Sequence, residues 1–289
     1  MESSVDSVIS VQDVHYSYGT TKAVAGISFT VHQGEVVGFL GPNGAGKSTT
    51  VKMLTGMLRP DTGSIRMLGH EMKGARKLIQ ARIGVCFEEK NLYLDMTGEE
   101  NLLFFARLFG VRSFDAMALL KRVDLAERAR ERVKRYSKGM RQRLMIARSL
   151  INTPDILFLD EPTDGLDPVS ARSIRRIVEE ESSRGAAVFL TTHDMHEADQ
   201  LSHRVAFINS GSIVAFDSPE ELKLKHGRRS VRIRIRKDGI VDEKLLPLGG
   251  EGASEALRAA ADDPGLMTIH TEEATLEDVF VKLTGRGLS

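Results

Sequence analysis

The residues most able to do chemistry in this 289-residue chain fall in two short runs. The first is Gly41-Pro42-Asn43-Gly44-Ala45-Gly46-Lys47-Ser48-Thr49. Its Gly-x4-Gly-Lys-Ser spacing fits a phosphate-cradling loop. Glycines let consecutive backbone N–H groups curl around phosphate oxygens, and a helix opening from the loop directs its positive end at the same anion. Lys47 would reach the β- and γ-phosphates of a nucleotide, and the Ser48 hydroxyl could ligate Mg²⁺. Gly41, Asn43, Gly44, Ala45, Gly46, Lys47, Ser48 and Thr49 are therefore the expected nucleotide contacts. The second run is Ile156-Leu157-Phe158-Leu159-Asp160-Glu161. Four apolar residues bury a strand and leave Asp160 at its C-terminal tip, where open parallel sheets bind ligands. Asp160 is expected on the metal, directly or through water. Glu161 is expected to orient or deprotonate an attacking water. No Asn-Lys-x-Asp motif for reading guanine is present, which disfavours GTP.

The surrounding pattern must position these groups. Val8 to Tyr18 reads as a strand, rich in β-branched and aromatic residues. Ile27–Val31 alternates with period two and turns at His32-Gln33-Gly34-Glu35 into Val36–Leu40, which predicts an antiparallel hairpin between the two. Val36–Leu40 is apolar throughout, as a strand buried on both faces would be. The phosphate loop follows it directly, and Val51, Leu54, Met57 and Leu58 then mark a helix. Thr97 and Glu100 have capping-box spacing ahead of Leu102–Leu108, with Gly110 as a stop. Helical patterns continue through 114–120 and 125–135. Between 121 and 150, eleven Lys and Arg face three Asp and Glu, a basic flank that suits either a solvated face or a partner. Strands at 156–159 and 187–190 alternate with helices at 170–181 and 195–201, which implies βαβ units and a mostly parallel sheet. After residue 225, Val231–Arg236 alternates strictly as a half-exposed strand. A helix near 254–261, a strand near 267–270 and a helix near 276–283 complete a small α/β appendage.

Composition narrows the class. Hydrophobic residues make up 41% and charged residues 28%, as in ordinary globular proteins. Forty basic residues balance forty acidic ones, which argues against a chain built to coat nucleic acid. One cysteine, Cys86, excludes an intrachain disulfide and a cysteine-based zinc cage. No apolar run approaches the roughly 20 residues a bilayer span needs, and the first residues lack a signal-peptide pattern.

Tyr136-Ser137-Lys138-Gly139-Met140-Arg141-Gln142 lies shortly before the acidic strand end. It resembles the signature motif of ABC transporter ATPases. Gly165-Leu166-Asp167 and Thr192-His193-Asp194 follow in family order. The resemblance implies a P-loop NTPase (ABC ATPase) core with a parallel sheet, an N-terminal antiparallel β portion, an all-helical subdomain and the C-terminal α/β appendage. It implies that Tyr18 stacks on adenine and that Ser137 and Gly139 grip the γ-phosphate bound to the opposite subunit. Asp167 would lie in the loop crossing the dimer interface, and His193 would contact the γ-phosphate. Two departures stand out. Lys138 and Met140 replace a glycine and a glutamine of the usual signature; Lys138 would add charge near the phosphate or point into solvent. Glu88 stands where a glutamine normally contacts Mg²⁺ and water. A carboxylate can ligate Mg²⁺, but it donates no amide hydrogen bond.

The expected organisation is an ATP-binding core at 1–88 and 152–225, a helical subdomain at 89–151, and an appendage at 226–289. The expected cofactors are ATP and Mg²⁺. The resemblance implies a head-to-tail homodimer, or a pair with a closely related ATPase, on the cytoplasmic face of a transmembrane permease. Residues 93–109 are the expected permease contact. The signature and the tail Ala274–Phe280 look like those of bacterial exporters of drugs, antibiotics, lipids or sodium. The Phe87–Tyr93 stretch is similar to that of sodium-extrusion ATPases. A binding subunit with little hydrolysis and a non-transport ABC ATPase are the alternatives.

Overall fold

A computed structural model describes residues 7–88, 91–227, 230–237, 240–248, 253–272 and 274–285. A first compact unit ends at Phe216 and a second begins at Asp217.

The first unit contains two sheets. In the smaller, β1 (Ser7–Tyr18) and β2 (Thr21–His32) form an antiparallel hairpin that closes at Gly19, whose φ of 59° favours glycine. β4 (Thr62–Met67) pairs antiparallel with β1, and β5 (His70–Glu71) lies at the edge. The larger sheet has the order β10-β9-β3-β8-β7-β6. Within it β3 (Val36–Leu40), β6 (Ile83–Cys86), β7 (Ile156–Asp160), β8 (Ala187–Thr192) and β9 (Arg204–Asn209) run parallel. A two-residue turn at Ser210-Gly211, both at positive φ, leads from β9 to β10 (Ser212–Asp217).

The predicted hairpin between 27–31 and 36–40 does not form. β2 stays with β1, while β3 enters the other sheet between β8 and β9. All five residues of β3 are buried, so a central parallel position satisfies both faces, whereas an outer antiparallel one would expose one of them. The crossing is fixed at Glu35, whose carboxylate accepts from His32 N–H at 2.8 Å and from the Arg204 guanidinium. Val36 N–H donates to His203 Nδ1 at 2.9 Å.

Alternation along each central strand divides the core. Val37, Phe39, Ile156, Phe158, Ala187 and Phe189 face the antiparallel sheet and α1 (Lys47–Leu54). Phe29 stacks on Phe189 with ring centres 5.7 Å apart. Val36, Leu157, Leu159, Val188 and Leu190 face the helical side. That side holds α3 (Gly98–Leu108), α4 (Ala116–Arg122), α5 (Lys138–Ser149) and α6 (Pro168–Ser183). The capping box forms as read: Thr97 N–H donates to the Glu100 carboxylate at 2.8 Å, and Glu100 N–H donates to Thr97 Oγ1 at 3.1 Å.

The pattern at 125–135 does not become a helix. It makes two short 3₁₀ turns, Ala126–Arg128 and Val133–Arg135. Besides the i→i+3 bonds of those turns, the backbone there bonds to the segment around the start of α3. Val133 N–H donates to Met96 O, Lys134 N–H to Leu94 O, and Ala129 O accepts from Glu99 N–H. Leu125, Ala129 and Val133 are still buried, so the apolar spacing serves packing without setting the local conformation.

The second unit contains α8 (Pro219–His226), a three-stranded antiparallel sheet, α9 (Ala253–Ala261) and α10 (Leu276–Thr284). Its start precedes residue 226 because α8 packs on α10, where Lys282 Nζ donates to His226 O at 2.8 Å. The sheet order is β12 (Ile240–Pro247), β11 (Ser230–Lys237), β13 (Leu266–Glu272). The alternation in β11 is as read, with Val231, Ile233 and Ile235 buried.

Candidate active site

Strand β3 ends in the glycine loop, and Lys47 opens α1. Gly46 has φ 109°, and a Cβ there would collide with Ala23 O, so only glycine lets the loop pass this close to the hairpin. Lys47 is buried, 6% exposed. Its ammonium donates to Gly41 O at 2.6 Å and lies 3.2 Å from Glu161 Oε1. The α7 helix (Met195–Leu201) and the turn before it bring His193 to the same place.

Glu161 leaves the end of β7 with φ 48°, a left-handed conformation that costs a residue with a Cβ roughly 1–2 kcal/mol. It is held there by its N–H, which donates to Thr191 O and to Thr191 Oγ1, both at 3.1 Å. Its second carboxylate oxygen faces His193 Nδ1 at 2.9 Å and accepts from His193 N–H at 3.3 Å. Lys47, Glu161 and His193 therefore form one contiguous polar array. Asp164 extends it: Oδ1 lies 3.8 Å from His193 Nε2, and Oδ2 lies 3.5 Å from Lys138 Nζ.

Asp160 sits one residue back, 4% exposed. Ser48 Oγ donates to Asp160 Oδ1 at 3.4 Å, and the buried Thr191 hydroxyl donates to the same oxygen. This is a set of hard oxygen donors at a phosphate loop, which fits Mg²⁺. Among the described residues no group of three His, Cys, Asp or Glu could hold a metal alone. Mg²⁺ does not require one, since it takes one or two protein oxygens and completes its shell with phosphate and water.

Lys47, Ser48, Glu161, Asp164 and His193 line a cavity of about 470 Å³, whereas Asp160 is not among the residues that line it. Tyr18, Asn43, Gly44, Gly46, Lys47, Ser48, Thr49, Glu88, Glu161 and His193 all reach it, and the sequence pointed to each. Gly41 and Ala45 belong to the same loop but do not line the cavity. Thr21, Lys22, Ala23, Pro42 and Asp164 also line it. Sequence reading did not single these out as site residues, although Asp164 follows Glu161 by three positions in the same turn. Tyr18 is half exposed at the rim, edge-on to Tyr16 with ring centres 4.9 Å apart.

Ser137, Gly139 and Asp167 do not line this cavity. Ser137 caps α5, accepting from Met140 N–H at 3.2 Å. Gly139 packs against Ser170 and Asp167, where a Cβ would collide with the Ser170 side chain. Asp167 caps α6; hydrogen bonds from the Ser170 N–H and hydroxyl hold its carboxyl below the usual range. Lys138 reaches Asp164 and the Gly165 turn of its own chain. Cys86 is fully buried, and burial pushes its thiol up to about 12, so it is no nucleophile.

The family described as ABC transporter matches residues 24–164. A fluoroquinolones export ATP-binding protein of Mycobacterium tuberculosis is 48% identical over 98% of this chain and 95% of its own. A Nod factor export ATP-binding protein I of Burkholderia thailandensis is 39% identical over 96% of this chain and 97% of its own. A daunorubicin resistance ATP-binding protein of Streptomyces coeruleorubidus is 37% identical, covering 97% and 96%. Among solved structures, an ATP-binding subunit of an ABC transporter superposes with TM-score 0.69 at 27% identity, covering 76% of this chain and 93% of that one. A dimeric ATP-binding cassette bound to ADP and Pi matches with TM-score 0.65 at 25% identity, covering 73% and 98%. The chain belongs to the ABC transporter family, as an ATP-binding and ATP-hydrolysing subunit of the export type.

Proposed function

We propose that the chain drives export by closing as a head-to-tail pair over two ATP molecules and reopening after hydrolysis. The observation that carries the hydrolytic part is Glu161, with one carboxylate oxygen on Lys47 and the other on His193. Phosphate oxygens entering the glycine loop would meet the loop N–H groups, the α1 N-terminus and the Lys47 ammonium. Glu161 would take a proton from the attacking water, with His193 facing the γ-phosphate. Ser48 and Asp160 would hold Mg²⁺, with Glu88 at the cavity wall as a further oxygen donor; bound there, Mg²⁺ would neutralise charge on the phosphates. Tyr18 offers the adenine a ring face at the rim.

Ser137 and Gly139 lie at a helix N-terminus outside the cavity of their own chain. That position suits a γ-phosphate presented by a second copy, so each site would be completed in trans. A transmembrane partner would supply the pathway; among the described residues no helix is long and apolar enough to cross a membrane. Exposed Tyr93, Leu94, Leu108 and Phe109 support the helical region as the permease contact. The relatives' names support an organic cargo in preference to sodium.

The test is ATP hydrolysis by wild type and Glu161→Gln, with light scattering of both in MgATP. The variant is expected to lose about 10²–10⁴-fold in turnover while retaining ATP binding, and to accumulate as an ATP-dependent dimer. Near-normal turnover in the variant would overturn the assignment of Glu161. A monomer at saturating MgATP, with the permease present, would overturn the pairing.

A further inference from the structure

Glu161 and His193 sit on separate connections, one after β7 and one after β8, and the sheet ends before either begins. Besides their direct contact, the two connections share a second link outside the cavity lining. Thr163, two residues past Glu161, donates its hydroxyl to Glu197 Oε2. Thr192, the neighbour of His193, donates to the same oxygen at 3.4 Å. Glu197 belongs to α7 and is 2% exposed. Its own N–H donates to Asp194 Oδ1 at 3.0 Å, and Asp194 N–H donates to Thr192 Oγ1 at 2.9 Å. Glu197 does not line the cavity.

This is an expensive residue to bury. Its other oxygen, Oε1, is buried without a hydrogen-bond partner. Burial pushes the carboxyl above its usual range, and the charge of Asp194 acts in the same direction. An apolar side chain of similar volume would fill the space without that cost. The one thing such a side chain would lack is an acceptor shared by two hydroxyls, one from the loop after β7 and one from the last residue of β8.

We propose that Glu197 is a positioning residue for ATP hydrolysis. It ties the loop after β7 to the end of β8, from which His193 follows directly, and so fixes the 2.9 Å approach of His193 Nδ1 to Glu161 Oε2. The proposal rests on the roles assigned above to Glu161 and His193. Slackening the tie would misplace the base against its partner while leaving the backbone of the phosphate loop, which cradles the phosphates, in place.

Three variants test it in the full chain, with and without the permease: Glu197→Leu removes the acceptor at similar volume, Glu197→Gln keeps one, and Thr163→Val removes a donor from the other side. Neither Glu197→Leu nor Thr163→Val touches a nucleotide contact; each should lower kcat about 10–100-fold with KM for ATP within about twofold. Glu197→Gln should stay within about threefold of wild type, and the Glu197→Leu/Thr163→Val double variant should be no slower than the worse single one. Retained kcat in both Glu197→Leu and Thr163→Val, an equal loss in Glu197→Gln, or full additivity would each overturn the proposal. Should Glu197→Leu fail to fold, Thr163→Val alone decides. Glu161→Gln run beside them separates the two readings: if it keeps turnover, the assignment of Glu161 falls; if it loses turnover while Thr163→Val does not, only the positioning role falls.

Discussion

Thr191→Val is the substitution that tests the metal side of the site most directly. Thr191 is fully buried, and its hydroxyl donates to Asp160 Oδ1 while accepting from Glu161 N–H. Valine keeps the shape and removes both interactions. Glu161 N–H retains Thr191 O at 3.1 Å, so the loss falls chiefly on Asp160. A hydrogen bond to a charged group contributes about 1.5–3 kcal/mol. At about 1.4 kcal/mol per tenfold, that corresponds to roughly 10–150-fold in an equilibrium. If the hydroxyl orients Asp160 towards Mg²⁺, the cost appears as a raised Mg²⁺ requirement of about 10–100-fold, as for other groups that orient metal ligands. Turnover at high Mg²⁺ should then largely recover. The assay is ATP hydrolysis at saturating ATP over graded free Mg²⁺, with urea unfolding in parallel. A Mg²⁺ curve that superimposes on wild type, with only the unfolding midpoint lowered, would refute the reasoning and leave Thr191 as a packing residue.

Tyr18→Ala should weaken ATP binding by about 1–3 kcal/mol, the range for a base stacked on an aromatic ring, while Tyr18→Phe keeps wild-type affinity; equal affinity in the alanine variant by titration calorimetry would remove the stacking role. Cys86 should resist thiol alkylation at pH 8 in the folded chain and label fully in denaturant, because burial disfavours its thiolate; mass spectrometry reads this, and rapid native labelling would contradict the packing. The raised carboxyl of Glu197 binds its proton more tightly folded than unfolded, so it lowers stability as pH rises above the ordinary glutamate range. Replacing it by Gln should therefore raise stability relative to wild type most near neutral pH, with the gain shrinking as pH falls towards 4.5; urea unfolding at several pH values would show a constant difference if the burial cost were absent.

Much of the site was legible because its parts are short and sequential. The glycine loop, the apolar strand ending in Asp160 and the capping box at Thr97 each need only a few adjacent residues, and each formed as read. What escaped depends on partners far along the chain. The turn at Gly34 looks like a hairpin turn, and only the pairing of β3 with β8 and β9, more than 140 residues later, shows that it carries the chain from one sheet to another. Leu125, Ala129 and Val133 have helical spacing, but Met96 and Leu94 take the backbone bonds that a helix would use. Thr191 and Glu197 carry no motif of their own as polar partners; their importance lies in which buried oxygens they meet. Ser137, Gly139 and Asp167 were found only through resemblance, since nothing in their spacing relative to the loop says that they stay out of the cavity.

Helix α5 joins two places that are chemically unrelated. Ser137 caps its first turn, and near its last turn Arg148 donates to Asn91 O and lies over the Phe105 ring, 4.8 Å from the ring centre. Twelve helical residues span about 18 Å. From Leu144 to Ser149 every residue is buried, so the second half of the helix is packed on all sides. One continuous helix thus sets the spacing between the Ser137 cap and the Arg148 contacts at Asn91 and Phe105.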